Sequence, residues 1–441
     1  MNPIRFGTDG IRGKVGVFPI TEGGFQGIGQ ACREWLLQQK LPLIVAVGWD
    51  TRESGPVFAK AFAEGMGKGA VVRLLGVTPT PAISFYVEQE NLSLGVSITA
   101  SHNPYTDNGL KLFCKTGSKL RREEEEEIER YCQKEFRKKA GSVAMQKVSG
   151  NEYFVAAWKK RYPKDWLKGC RLVLDTANGA TTFTTLPLLQ LWGADVICLG
   201  NHPDGKNINR DCGSEHVDRL KAAVKEQHAW LGFAHDGDGD RLVVIDEHGE
   251  RLDGDALLGL LALDFHQQNA LKQNCLVVTE ESNSGLAESL KPFGIRVVTC
   301  AVGDRNVFYT LEKEGGCFGG ESSGHMIFKD EAPTGDGLRA LCVLLELAKV
   351  RPLWKRAQAI TLRPKCERSL CVEQKIPLEQ LTRLQATQAR LQSMCGRVHI
   401  RYSGTENKLR FFVEADTLPH CEERMQLLLQ AAAEDFQALY R

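Results

Sequence analysis

Asp236, Asp238 and Asp240 alternate with Gly237 and Gly239 in the run HDGDGDR, so three carboxylates can converge while the glycines let the backbone curl tightly. Hard divalent cations take oxygen ligands, and magnesium commonly combines a few carboxylates with phosphate or substrate oxygens. The bland alternative is a surface Asp-Gly turn, in which three acids this close would repel one another without a cation. The run also resembles half of an EF-hand, with Glu247 at the twelfth position. Arg241, however, stands where that loop needs glycine, and LVVID reads as a strand.

A second run, Thr99-Ala100-Ser101-His102-Asn103-Pro104, follows the strand-like LGVSI. It is not the G-x-S-x-G elbow of a hydrolase, and adjacent residues rarely form a serine–histidine base pair. A phosphoryl group on Ser101 would explain the aspartates, because a dianionic phosphate oxygen completes a magnesium shell. Lys111, in DNGLKLF, offers an ammonium that burial could tune to exchange protons with a sugar hydroxyl. A capping serine in a turn is the competing reading. In a third run Glu321, Ser323 and His325 supply an acceptor, a hydroxyl and an imidazole suited to sugar hydroxyls, or to an amino group at Glu321; an acid-capped helix start is the alternative. In the fourth, RYSGTENKLR, Arg401, Ser403, Gly404, Thr405 and Arg410 combine guanidinium forks, hydroxyls and exposed amides, which suit a phosphate monoester, with a basic surface turn as the alternative.

These loops sit on a repeated frame. An apolar strand running into an acidic turn occurs at Leu43–Arg52, Arg171–Ala180 and Cys275–Gly285. A second β-rich run follows each, from Val71, Ala194 and Ile295, and a third run then ends in TASHNP, HDGDGDR or GGESSGH. Strands alternating with helix-length segments predict α/β units with mainly parallel strands, whose ligands gather beyond the carboxyl ends. Phe25, Ile28, Cys32, Trp35 and Leu36 follow helical spacing, with Thr21 as N-cap. Glu123–Glu127 reads as a solvated helix surface, and Lys139–Gly150 as a join between domains. From about Leu362 the rhythm becomes that of a small α+β domain. The expected division is 1–150 with the serine loop, 151–252 with the acidic loop, 253–362 with the third loop and 363–441 with the fourth. Gly65–Ala70 matches GxGxxA but precedes a strand where a dinucleotide fingerprint must follow one, and no GxxxxGK[ST] run exists.

Composition excludes other classes. Hydrophobic content of 42% and charged content of 25% are those of a soluble globular chain, and 441 residues exceed one core. The 56 basic and 55 acidic side chains leave +1, no field for gripping nucleic acid or an anionic membrane. Fourteen cysteines are scattered singly without a CxxC pair, which suits reduced core thiols. MNPIRFGTDG has no signal-like pattern and no apolar run is long enough to span a bilayer, so a cytoplasmic location is expected.

Five runs in order, FGTDGIRG (Phe6–Gly13), TASHNP, DGDGDR, GGESSGH and RYSGTE, resemble those of the α-D-phosphohexomutase superfamily across nearly the whole chain, and FGTDGIRG is most similar to its bacterial phosphoglucosamine mutase branch. The resemblance implies three related α/β domains and a smaller α+β domain around a central cleft. It implies phosphorylation of Ser101, magnesium on Asp236, Asp238, Asp240 and the Ser101 phosphate, and proton transfer assisted by Lys111 and His102. Arg241 and Arg12 would lie near the phosphoserine. Glu321, Ser323, His325, Gly303 and Asp304 would meet the sugar, and Arg401, Ser403, Gly404, Thr405 and Arg410 the distal phosphate. The activity it implies interconverts glucosamine 6-phosphate and glucosamine 1-phosphate through a sugar bisphosphate. The alternative is a phosphomannomutase/phosphoglucomutase with the same chemistry, because Ser322 stands where the glucosamine branch commonly has glutamine. A metal-dependent phosphatase and a non-catalytic sugar-phosphate sensor are the rivals from other classes. Expected partners are small sugar phosphates, with neither nucleic acid nor membrane, and a homodimer is among the expected assemblies.

Overall fold

The computed structural model describes residues 4–133, 142–394, 396–402 and 407–439. They divide into two compact units, one of residues 1–282 with 290–359 and one of residues 283–289 with 360–441.

The first unit is built on three sheets. The first contains β1 (Ile11–Lys14), β2 (Ile44–Trp49), β3 (Val71–Val77), β4 (Leu94–Ile98), β5 (Asp107–Cys114) and β6 (Ala144–Lys147), in the order β1-β5-β4-β2-β3-β6. The second contains β7 (Arg171–Asp175), β8 (Asp195–Leu199), β9 (Leu231–His235) and β10 (Leu242–Ile245), ordered β10-β9-β7-β8. The third contains β11 (Cys275–Thr279), β12 (Arg296–Cys300), β13 (Phe318–Gly320) and β14 (Met326–Phe328), ordered β12-β11-β13-β14.

One four-strand plan underlies all three. A first strand (β2, β7 or β11) lies between two parallel neighbours, and the second neighbour (β4, β9 or β13) turns back into an antiparallel partner. The periodicity read in the sequence is therefore a repeat of topology. Its consequence is positional, because the loops carrying Ser101, the three aspartates and Glu321–His325 all follow the corresponding third strand. Strands β4, β9 and β11 are buried along their whole length, as strands covered on both faces are.

Helices cover the first sheet. Thr21 Oγ1 accepts from Gly24 N, capping the helix Glu22–Gln38, which buries Phe25, Ile28, Cys32, Trp35 and Leu36. It crosses the helix Gly55–Met66 closely: a Cβ at Gly29 would meet Phe62 O at 2.2 Å, and one at Gly65 would meet Gln26 O at 2.1 Å. Gly65 thus serves helix packing, and the GxGxxA match ends a helix ahead of β3.

Two expectations are corrected. Within Lys139–Gly150, β6 pairs with β3 as the edge of the first sheet, so this segment is more than a join. Its four residues are exposed, which leaves no apolar period to mark it. The acidic run lies on the helix Arg122–Cys132 but is not wholly solvated: Glu125 is 4% exposed and paired with Arg305, and beyond the run Glu129 accepts from Phe6 N at 2.7 Å.

The second unit is α+β. Strands β15 (Lys365–Cys371), β16 (Arg397–Tyr402) and β17 (Lys408–Glu414) form an antiparallel sheet ordered β15-β17-β16. Helices Thr382–Gln392 and Leu418–Leu439 contribute Leu384, Leu391, Cys421, Met425 and Leu428 to a core shared with Leu409, Phe411 and Val413. Residues 283–289 join it: Asn283 Nδ2 donates to Arg363 O at 2.9 Å, and Ser284 Oγ donates to Glu414 at 2.6 Å. All described cysteines are free thiols, and among the described residues no helix is long and apolar enough to cross a membrane.

Candidate active site

The turn after β4 carries Ser101 with φ 52°, a left-handed conformation that a residue other than glycine adopts only when its surroundings hold it. No helix follows, so Ser101 is not a helix cap. Its side chain is fully buried, and Oγ donates to Asp236 Oδ2 at 2.6 Å across 135 residues of sequence. Asp236, Asp238 and Asp240 are each at most 1% exposed, and each offers a carboxylate oxygen within 4.8 Å of the others. Among the described residues they form the one such metal-ligand group. Backbone amides shape the loop, with Gly239 N and Arg241 N donating to Asp236 Oδ1 at 3.2 and 3.3 Å. Strand β10 follows it, which excludes the exiting helix of an EF-hand.

Lys111, on β5, is 1% exposed and donates to Asp238 Oδ2 at 2.8 Å and Asp240 Oδ2 at 2.6 Å, with Asp9 at 3.3 Å. Burial opposes its charge, but these three carboxylates outweigh burial and hold its pKa well above the ordinary lysine value. Its surroundings thus tune the Lys111 proton toward tighter holding. Asp236 behaves oppositely: burial, then repulsion from Asp240 and Asp238, pushes it up to about 8. Burial likewise works against Asp240, but His325 and Lys111 hold that carboxyl well below the usual range.

The third loop is a hairpin turn between β13 and β14, not a helix start. His325 Nδ1 lies 2.8 Å from Glu321 Oε2, and Nε2 lies 2.9 Å from Asp240 Oδ1. Burial disfavours the imidazolium, but the two acids prevail and raise His325 to about 10. Glu321 Oε1 accepts from Gly303 N at 3.0 Å, and Ser323 lies half-buried on the same turn. Asp304 is occupied, accepting from Lys119 Nζ at 2.6 Å and Arg305 N at 2.9 Å.

Two guanidinium groups act on the histidine beside Ser101. His102 Nδ1 is 3.3 Å from Ser101 Oγ, and burial together with Arg241 and Arg12 lowers its pKa to about 3, leaving it neutral. Arg12 pairs with Asp9, which also receives Lys119, while Arg241 lies 3.6 Å from Glu215 and 4.0 Å from Asp236. Arg12 Nε and Arg241 Nε are buried with no hydrogen-bond partner, and so is Asp238 Oδ1. An orphaned carboxylate oxygen fits a cation, and orphaned guanidinium hydrogens fit an anion.

The structure thus brings Ser101, His102, Lys111, Arg12, Arg241, the three aspartates, Gly303, Asp304, Glu321 and His325 into one contact network. Arg401 and Arg410 belong to the other unit, where they are exposed cross-strand partners on β16 and β17. Ser403, Gly404 and Thr405 lie outside the described residues. Sequence reading missed Asp9, Lys119 and Thr80, whose Oγ1 donates to Asp238 at 2.5 Å. Asp9 lies inside FGTDGIRG and could have been chosen, whereas Lys119 and Thr80 carry no local signal.

The chain matches the phosphoglucomutase/phosphomannomutase family in three segments: alpha/beta/alpha domain I at residues 3–139, domain II at 151–249 and domain III at 253–362. It is 39% identical to the phosphoglucosamine mutase of Aliarcobacter butzleri over 437 residues, covering 96% of this chain and 98% of that one. It is 40% identical to the phosphoglucosamine mutase of Nautilia profundicola, covering 93% and 95%. The fold is shared with a phosphoglucomutase/phosphomannomutase family protein of Burkholderia thailandensis, with TM-score 0.79, 24% identity and 97% of each chain covered. It is also shared with Aspergillus fumigatus N-acetylphosphoglucosamine mutase, solved in complex with GlcNAc-6P and magnesium, with TM-score 0.65, 17% identity and 99% and 96% covered. With three domain matches in order and relatives aligned nearly end to end, the chain belongs to the phosphoglucomutase/phosphomannomutase family, the phosphohexomutases, which are intramolecular phosphotransferases.

Proposed function

We propose that the protein is a phosphoglucosamine mutase, interconverting glucosamine 6-phosphate and glucosamine 1-phosphate through phosphorylated Ser101 and a sugar bisphosphate. The observation that carries this reading is the 2.6 Å bond from Ser101 Oγ to Asp236, the first of three buried aspartates. The relatives that share nearly the whole chain carry that name. In this proposal the four segments 1–150, 151–252, 253–362 and 363–441 each contribute one loop.

Asp236, Asp238 and Asp240, with a Ser101 phosphate oxygen, would hold Mg2+; the orphaned Asp238 oxygen and the all-oxygen donor set fit such an ion. When bound, the ion supplies positive charge against the transferring phosphoryl group. The residues perform the rest. As the phosphorus–Oγ bond of Ser101 breaks and a bond to the sugar hydroxyl oxygen forms, the hydroxyl proton must leave and Oγ must gain one. Neutral His102 suits the accepting role, and Lys111, kept protonated by its acids, suits the donating one. Arg12 and Arg241, each with a buried Nε that has no protein acceptor, would donate to the phosphoryl oxygens. Glu321, Ser323, His325, Gly303 and Asp304 receive the sugar. Arg401, Ser403, Gly404, Thr405 and Arg410 grip the distal phosphate, and the bisphosphate turns so that each end meets Ser101.

Coupled assays with glucosamine, mannose and glucose phosphates test the substrate. Preference for the glucosamine phosphates is expected, with phosphate on Ser101 by peptide mass and at least ~10³-fold loss of kcat in Ser101→Ala. A strong preference for mannose 1-phosphate would refute the sugar assignment. Free phosphate released as fast as product forms would indicate a phosphatase instead.

A further inference from the structure

Two residues outside the four candidate loops close on the reactive turn, Arg52 from the first domain and Asn209 from the second. Arg52, just beyond the end of β2, has no exposed side-chain surface. All five of its guanidinium hydrogens have protein acceptors. Nε donates to Asp50 Oδ2 at 2.9 Å, and Nη1 to the carbonyls of Pro104 and, at 2.9 Å, Asp107. Nη2 donates to the Ser101 carbonyl at 3.1 Å and the Asn103 carbonyl at 2.8 Å. Asn209 reaches the same two carbonyls from the second domain, with Nδ2 at 2.8 Å from Ser101 O and 2.9 Å from Asn103 O. Asp50 completes the clamp by accepting from Thr99 Oγ1 at 2.6 Å, which itself accepts from Ser101 N at 2.8 Å.

The clamp also reaches the acidic loop. A Cβ at Gly237 would lie 2.7 Å from Ser101 O and 3.0 Å from Asn209 Nδ2, so glycine is required there for the two loops to meet. Neither Arg52 nor Asn209 has a hydrogen left for a ligand on these atoms, and both act on the backbone of Ser101, whose φ of 52° needs support.

We infer that Asn209 and Arg52 are positioning residues for phosphoryl transfer: they fix the Ser101–Asn103 turn against the acidic loop, and Asn209 makes the serine's aim depend on the second domain. The inference rests on the phosphoserine reading above. Misplacement of a reacting atom by about 1 Å can cost ~10²-fold in rate.

The decisive experiment uses Asn209→Gly and Asn209→Asp in the full chain. Both tolerate the positive φ of 57° at this position, and both remove the amide donors. In phosphorylated protein, kcat is expected to fall about 10²-fold with KM for the sugar phosphate within about threefold. The 31P resonance of the phosphoserine should shift or broaden. Circular dichroism and melting temperature report folding separately, and Arg52→Lys provides a second arm because one ammonium cannot span five acceptors. Asn209 variants with kcat within about threefold of the parent and an unmoved 31P resonance overturn the inference, as does a rise in KM without loss of kcat. A parent protein that neither carries phosphate on Ser101 nor interconverts hexosamine phosphates overturns the functional reading instead.

Discussion

At the scale of single residues, the site holds its charges in unequal states. Lys111 and His325 stay protonated because paired acids outweigh burial, while Asp236, buried beside two other acids, retains a proton up to about pH 8. An aspartate whose folded pKa is raised binds more protons folded than unfolded, so its contribution stabilises the cation-free protein most at low pH and is lost as pH rises from about 4 to about 8. In the proposed metal site Asp236 would bind a divalent cation as the carboxylate, so that proton would have to leave. Titration calorimetry of the unphosphorylated protein, in buffers of different ionisation enthalpy, should therefore register about one proton released per Mg2+ near pH 7 and almost none above about pH 9. Affinity should rise with pH over that interval; a flat profile would contradict the assigned state of Asp236. The aspartates and Ser101 were legible because each lies in a short run whose composition announces its chemistry. Lys119 and Asn209 were not, because their partners Asp9 and Ser101 lie 110 and 108 residues away and only the fold introduces them.

At the scale of elements, strands were easier to read than helix surfaces or edges. Strand β4 is an unbroken buried run, whereas β6 is wholly exposed and its composition reads as a join. The acidic helix shows the same blindness: Glu125 looks like its solvated neighbours, yet Arg305, 180 residues on, turns it inward. Residues 283–289 are a further case, being near β11 in sequence but packed with the C-terminal unit. Glu414 holds them by accepting from Ser284 N at 3.2 Å and Ser284 Oγ at 2.6 Å, with its own side chain fully buried. Glu414→Ala leaves those donors without their acceptor, costing about 1–3 kcal/mol. Hydrogen exchange should register this as faster exchange in the 283–289 segment, by about ten- to a hundredfold, with exchange in β4 and β9 unchanged. Equal acceleration everywhere would mean that Glu414 stabilises the whole chain and not this attachment.

At the scale of the molecule, one topology used three times places three chemically different loops at equivalent ends, and an almost neutral chain carries an anionic chemistry on them. That combination constrains how substrate arrives. With 56 basic and 55 acidic side chains there is no net field to draw a sugar phosphate from a distance, and exposed charges are screened within about 10 Å at 0.1 M salt. In the proposed reaction the charges that would meet the transferring phosphoryl group are instead internal: Lys111 is 1% exposed and the side chains of Arg12 and Arg241 are 22% and 13% exposed. Buried charges are screened far less than surface ones, so their effect should survive added salt. Raising monovalent salt from about 50 to about 200 mM at constant free Mg2+ should therefore change kcat at saturating substrate by less than about threefold, in contrast to the steep fall in kcat/KM of an electrostatically steered encounter. A tenfold or larger fall in kcat would place the charges that act on the transferring group on exposed residues, whereas a salt-dependent rise in KM that Arg401→Ala or Arg410→Ala abolishes would identify the exposed pair on β16 and β17 as an anchor of the distal phosphate.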